Sequence, residues 1–293
     1  METVDLIETE AAHALCGVTP SAARALGQAV ERLTTTGRPH PGDLLRVGVD
    51  LGTASIIVSV LGADEMPLAT EMQVAQVARD GLVVDYMGAV DITRRLVGRL
   101  NERLGVELRS TAIAMPPGVE RSASRAHQHV VEAAGLTVSQ VVDEPTAAGT
   151  LLGVTDAVVV DIGGGTTGLS VFRDGGVAYV ADEPTGGTHM SLVLMGRFGL
   201  TFEQAEAMKQ DPAQQDDVRL AVRPVMEKMA TIVAHHVVGR SGIDLVYLVG
   251  GTSELPGIDK VFADVLGMPA IVPPHPMMVT PVGIALNDTG ERG

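Results

Sequence analysis

The chain has no Trp and only four Phe and three Tyr among its 293 residues. A core without large rings must be filled by aliphatic side chains, and 45% of the residues are hydrophobic. That is enough for one large folded unit or two modest ones, built from layers of strand and helix. Cysteine is as scarce. The single Cys16 excludes an internal disulfide and a cysteine metal cluster, which points to a reducing, cytoplasmic setting. Basic residues are few, 21 against 36 acidic ones, for a formal charge of −15. Nonspecific nucleic-acid binding relies on basic surface that releases phosphate counterions, so no nucleic-acid partner is expected. A nucleotide ligand is not forbidden, because backbone N–H groups and a bound cation can meet phosphate where side chains are negative.

No long apolar run is present. The stretch from Val47 to Leu61 is interrupted by Asp50 and Gly52 and reads as strand, turn and strand, so no membrane partner is expected. The start, Met1-Glu2-Thr3-Val4-Asp5, carries acids where a secretory leader carries bases, and export is not expected. Residues 1–43 read as an N-terminal extension, helical around Ser21 to Leu33, followed by a linker rich in Thr, Pro and Gly. From Leu44 onward β-branched runs alternate with helical patterns. Strands are expected at about 45–50, 55–61, 110–115, 138–142, 156–161, 168–173, 176–181 and 245–249. Helices are expected at about 88–104, 119–134, 145–152, 187–196, 202–209, 214–239, 257–266 and 280–287.

One stretch echoes another. Val49-Asp50-Leu51-Gly52-Thr53 and Val160-Asp161-Ile162-Gly163-Gly164-Gly165-Thr166 are each an apolar strand ending in Asp, a Gly-Thr turn and a second strand. The repeat suggests a duplicated fold with a site between its halves. Glycine turns let backbone N–H groups wrap phosphate oxygens, and an Asp set back at the strand end can hold a hydrated cation. Either turn alone is also an ordinary hairpin turn; the two together, in order, favour a phosphate role. Glu144-Pro145 can likewise be read as a helix start or as a catalytic position, and Gly250-Gly251 as a strand-to-helix turn or as a backbone approach to ligand.

These residues carry a resemblance. Val47–Thr53 and Val159–Thr167 resemble the two phosphate motifs of the actin/Hsp70/sugar-kinase superfamily, and Val142-Asp143-Glu144-Pro145-Thr146-Ala147-Ala148 resembles its first connecting motif. Leu248–Ser253 resembles the adenosine motif, and Val282-Gly283-Ile284-Ala285 the second connecting motif. Thr166-Thr167-Gly168, Ala181–His189 and Pro224–Ala230 are most similar to EutJ, the chaperone-like family of ethanolamine-utilisation operons. The resemblance implies an α/β, actin-like ATPase fold with two ribonuclease-H-like subdomains flanking a nucleotide cleft. The first would span 44–153 and take back the C-terminal helix at 280–293. The second would span 154–283, with a helical cap at about 187–240.

It also implies roles. Asp50 and Asp161 would hold a hydrated Mg²⁺. Gly52, Thr53, Ala54, Gly163, Gly164, Gly165 and Thr166 would line the phosphates of ATP or ADP, with Gly186 and Gly187 on the far wall. Glu144 would orient the attacking water with help from Asp161. Gly250, Gly251 and Thr252 would back the adenosine, and Gly283 of the second connecting motif would be a further nucleotide-binding residue. Glu227 and Lys228 would stand in, loosely, for the Glu-x-x-Lys pair that faces the nucleoside in Hsp70.

Three departures from Hsp70 limit the chemistry implied. Its carboxylate three residues after the triple glycine is here Gly168, and its basic residue after the adenosine glycines is here Glu254. The segment from Gly62 to Met87 is too short for the upper lobe that carries its catalytic lysine. Slow or negligible hydrolysis is therefore expected, with binding retained. No Hsp70 substrate-binding domain is expected, since nothing follows Gly293. The implied function is a nucleotide-dependent chaperone or assembly factor, with a protein client or a microcompartment enzyme or shell component as partner, in the cytoplasm or at a bacterial microcompartment. A small-molecule kinase and an inactive scaffold are the alternatives. The histidine pairs His127/His129 and His235/His236 splay apart and are not expected to bind zinc.

Overall fold

The computed structural model describes residues 17–40, 42–79, 82–117, 121–240 and 242–292. Cys16 and the acidic start of the chain lie outside them. Helix α1 (Pro20–Glu31) starts where the Thr19 side chain accepts the Ala22 amide and Pro20 fills the first turn. A meander follows, β1 (Leu44–Leu51), β2 (Ser55–Leu61) and β3 (Pro67–Val74), then a small hairpin of β4 (Ala78–Arg79) and β5 (Leu82–Val83). Asp85 caps α2 (Tyr86–Leu104), which Gly105 closes at positive φ. The chain continues through β6 (Ser110–Met115), α3 (Arg121–Ala133), β7 (Thr137–Asp143) and α4 (Glu144–Leu152).

The second set opens with another meander, β8 (Val158–Ile162), β9 (Thr167–Arg173) and β10 (Gly176–Glu183). Three helices follow, α5 (Gly187–Phe198), α6 (Phe202–Gln210) and α7 (Gln215–Val237), then β11 (Val246–Val249), α8 (Ile258–Leu266) and β12 (Ala270–Ile271). Last come α9 (Pro276–Leu286) and β13 (Glu291–Arg292).

Both sheets share one plan. The first runs β3-β2-β1-β6-β7, with β13 beside the start of β1, and the second runs β10-β9-β8-β11-β12. In each, three meander strands are antiparallel, and two strands reached through helices add in parallel on the other side. The repeat heard in the two Asp-x-Gly hairpins thus extends to the whole topology. It also places Asp50 and Asp161 at equivalent ends of equivalent strands, β1 and β8.

Among the described residues, aliphatic side chains fill three large cores and a small cluster of Ala112, Ala114, Ala147 and Ile284, as the lack of rings requires. One lies under α2 and α3, around Val49, Ile56, Leu96 and Ile113. Another lies under α5 to α8, around Val160, Leu169, Met226 and Phe262. The third lies between the sheets, where Ala148 and Leu152 of α4 and Val279, Val282 and Ala285 of α9 meet Leu61 of the first sheet and Phe172 of the second. Helix α1 joins this middle layer through Val18, Ala22, Leu26 and Ala29.

Some elements differ from expectation. β3 is absent from the sequence reading, and α9 begins at Pro276, four residues before the expected start; Pro276 occupies a first turn that needs no N–H. The segment after α1, read as a linker, is held against β3. Gly37 donates its amide to the Leu68 carbonyl at 2.7 Å, and Arg103 bonds the Arg32 carbonyl at 2.6 Å and Thr36 Oγ1 at 3.1 Å.

Candidate active site at the paired glycine turns

The turns after Asp50 and Asp161 face one another. A Cβ placed on Gly164 would lie 3.2 Å from Ala54 Cβ and 3.6 Å from Thr53 Cβ. The two turns therefore lie side by side, Gly164 of the second beside Thr53 and Ala54 of the first. The second turn is closed by the Gly163 amide on the Thr166 carbonyl at 3.0 Å.

Three carboxylates converge behind the turns. Burial raises Asp50 to about 7, and the neighbouring Asp161 charge adds to this. Burial raises Asp161 to about 6, against a hydrogen bond from the Thr280 hydroxyl that lowers it. Glu144, first residue of α4, is raised well above the usual carboxylate range by burial and by the charges of Asp161, Asp50, Asp182 and Asp143. The acids come from β1, β8 and α4, so both sheets and the layer between them contribute. Asp143 is otherwise engaged: it caps α4 through the Thr146 amide at 3.0 Å and accepts from Ser170 Oγ at 2.9 Å. The Glu144 position is thus a helix start, and also faces the acids.

The start of α5 closes the second turn from the far side. Gly187 and Thr188 donate their amides to the Gly163 and Gly164 carbonyls at 2.9 and 2.8 Å. A Cβ on Gly186 would come within 2.6 Å of the Gly164 oxygen. Thr252, after β11, donates its hydroxyl to the same Gly163 carbonyl at 2.8 Å, which brings the Gly250-Gly251-Thr252 turn to the cradle. Beyond Thr252, Glu254 and His275 line a hollow of about 440 Å³.

A lysine and a glutamate absent from the sequence reading also reach this place. Lys209 Nζ donates to the Gly187 carbonyl at 3.2 Å and pairs with Glu206 Oε1 at 2.8 Å, and Glu206 accepts from the buried Ser191 hydroxyl. Both lie three residues apart on α6, one turn of one helix face. Glu227 of α7 pairs with Arg223 at 2.7 Å along its own helix, and Lys228 beside it is exposed. Gly283 lies on α9. It is buried where α9 crosses α4, directly against the Ala147 carbonyl, and serves that close helix contact. The spacing Glu206-x-x-Lys209 was present in the sequence; what hid it was the choice of helix, since only the packing of α6 on α5 brings it to Gly187.

Two sheets of one order around a middle helical layer, with an Asp–glycine turn from each meeting at one cleft, define the actin-like ATPase fold. The pattern of the MreB/Mbl protein family matches residues 63–196, and that of cell division protein FtsA matches residues 158–283. The crystal structure of MreB5 of Spiroplasma citri bound to AMPPNP superimposes with a TM-score of 0.66 over 82% of this chain and 94% of that one, at 16% identity. Likeness is far greater to the ethanolamine utilization protein EutJ. The Escherichia coli K12 protein is 43% identical over 244 residues, 82% of this chain and 85% of that one. The crystal structure of EutJ from Carboxydothermus hydrogenoformans gives a TM-score of 0.84 at 43% identity, over 90% of this chain and 97% of that one. The chain belongs to the EutJ family of ethanolamine utilization proteins.

Proposed function

We propose that this protein binds ATP or ADP with Mg²⁺ in the cleft between its two sheets, and uses the nucleotide to set the closure of the two halves as a chaperone-like assembly factor. The observation that supports this reading is the closeness of Gly164 to Thr53 and Ala54, which brings together two glycine turns able to wrap phosphate oxygens. The halves are residues 44–153 with 280–293, and residues 154–283 with the helices of about 187–240 as a cap. Lys209 and Glu206 replace Glu227 and Lys228 as the pair beside the nucleotide, with the Gly250–Thr252 turn behind it.

The donor set fits a hydrated cation. Burial raises Asp50, Asp161 and Glu144, the Asp161 charge raises Asp50 further and both raise Glu144, and a divalent ion with its water shell compensates that charge. Among the described residues no three His, Cys, Asp or Glu side chains lie close enough to chelate a metal directly, which suits an ion that keeps its waters. Asp50 and Asp161 would hold such an ion through its waters, and it would offset negative charge on the phosphates. Glu144 would then hold a water, and the amides of the glycine turns would hold the phosphate oxygens.

Hydrolysis is slow or absent in this reading. The chain has three lysines, at 209, 228 and 260, so none lies in the first half. Among the described residues, the short span from Gly62 to Met87 forms a turn, β3, the β4–β5 hairpin and the first two residues of α2. Without chemistry on a metabolite, the output is the hinge motion that nucleotide exchange drives. Family membership points that output at ethanolamine utilization, and we assign the client to an enzyme or shell component of a bacterial microcompartment. Among the described residues no helix is long and apolar enough to cross a membrane. Calorimetry with ATP and Mg²⁺ tests the reading on wild type and Asp161→Ala: binding by the first and not the second supports it, and no binding by either overturns it. Phosphate release at an Hsp70-like rate would overturn the hydrolysis claim alone.

A further inference from the structure

The strand that leaves the second turn has no side chain at Gly168, which stands in the second residue pair of β9 and β10 counted from the turn. Asp182 is the register partner of Gly168 on β10. A Cβ at Gly168 would sit 3.4 Å from Asp182 Oδ1 and 3.1 Å from Pro117 Cδ. A side chain at 168 would thus be bounded by the Pro117 ring and would lie in ordinary contact with the Asp182 carboxylate of the neighbouring strand.

Strand alternation explains the aim of that carboxylate. Tyr179 and Glu183 both turn toward α7: Tyr179 Oη meets His236 Nδ1 at 2.8 Å, and His236 Nε2 meets Glu183 Oε1 at 3.1 Å. Arg240 lies over the Tyr179 ring, 3.7 Å from its centroid, and locks this face. Asp182, between them in parity, points to the opposite face of the sheet. Its charge acts on Glu144, which agrees with a position facing the cleft.

We propose that Asp182 supplies, from β10, the carboxylate that the second turn lacks at Gly168, and that it holds the water shell of the cation accompanying the nucleotide. This rests on the nucleotide reading above. The acids on the cation are then Asp50, Asp161 and Asp182, with Glu144 left to the water. Because β10 runs on through Pro184 and Thr185 to Gly186 and Gly187, the same residue ties cation occupancy to the start of α5.

The test is ATP titration by calorimetry with Mg²⁺ and, separately, with EDTA, on wild type, Asp182→Asn and Asp182→Asn/Gly168→Asp. In wild type, Mg²⁺ tightens binding. Asp182→Asn is expected to lose at least tenfold in affinity with Mg²⁺ and less than twofold in EDTA. The double variant is expected to regain part of the Mg²⁺-dependent gain, the Pro117 ring yielding a few tenths of an ångström. Retention of the whole gain by Asp182→Asn, or an equal fall in both arms, overturns the assignment while leaving nucleotide binding in place. A double variant that folds and regains nothing overturns the claim that the two positions serve one place. A wild type that binds no ATP in either arm overturns the function, and this assignment with it.

Discussion

The Thr280 hydroxyl, on the helix that joins the two sheets, donates its hydrogen bond to Asp161 Oδ2 at the end of β8. The two residues are 3% and 6% exposed, so water does not replace the donor. Burial pushes the Asp161 carboxyl up and this bond pulls it down, to about 6. The charge state of the second turn's acid is thereby set by a residue of α9. Because α9 also packs on α4 and the first sheet, any sliding of that helix strains the bond.

Thr280→Val keeps the shape and removes the donor. A buried hydrogen bond to a charged group contributes roughly 1.5–3 kcal/mol. Denaturant unfolding should show a loss of about that size at pH 8, where Asp161 is ionised, and a smaller loss at pH 5, where it is protonated. Equal losses at both pH values would show that the bond does not serve the charge.

The raised acids make the nucleotide-free protein less stable as pH increases. Asp50 at about 7 and Asp161 at about 6 stand above the ordinary value of 3.8, so the folded state binds protons more tightly than the unfolded state. Their stabilising contribution is complete below about pH 4 and is lost as pH climbs through 6 and then 7. Melting temperature should therefore fall between pH 5 and pH 7.5 in wild type, and the slope should flatten in Asp50→Asn. An unchanged slope in that variant would remove Asp50 as its source. Mg²⁺ with ATP should also flatten the slope, by compensating the ionised acids.

Lys209 and Glu206 should matter to nucleotide affinity, and Lys228 should not. Lys209→Ala removes the donor to the Gly187 carbonyl and frees Glu206 from its ion pair. The expected result is a tenfold or greater rise in Kd for ATP, against less than a twofold change for Lys228→Ala, whose side chain is exposed. Calorimetry on both variants decides between the two helices, and the reverse order would restore α7 to the site.

The parts of this site that were legible in the sequence are those fixed by local chemistry. An Asp at the end of an apolar strand, followed by Gly and Thr, makes the same hairpin wherever it occurs, and two of them disclosed both turns and the duplicated sheet. Elements that depend on partners were hidden. β3 contains Ala69, Glu71, Met72 and Gln73, weak strand formers that are ordered by pairing with β2. Glu206 and Lys209 have helical spacing like many surface pairs, and only the packing of the cap helices shows which pair meets Gly187. Asp182 is hidden for a third reason: its relation to Gly168 exists only in the register of β9 and β10, fourteen residues apart along the chain.

The start of α5 offers a prediction of opposite signs from two glycines of one region. Gly186 has extended backbone, φ −148°, so alanine there meets no dihedral penalty. Its Cβ, however, would lie 2.6 Å from the Gly164 oxygen and 2.7 Å from the Gly163 oxygen. Both obstacles are backbone atoms of the phosphate turn, and neither can rotate away. Gly186→Ala must push α5 off the turn or deform the turn itself, an overpacking cost of about 1–3 kcal/mol. Either movement breaks the amide bonds from Gly187 and Thr188 that shape the cradle. Gly196 lies inside α5, and an added Cβ meets nothing within 4 Å. Gly196→Ala should stabilise the protein by about 0.5–1 kcal/mol through helix propensity alone. Thermal melting should thus move down for Gly186→Ala and up for Gly196→Ala, with ATP affinity lost in the first and kept in the second. Intact ATP binding by Gly186→Ala would show that the contact of α5 with the second turn is not needed to hold the phosphates.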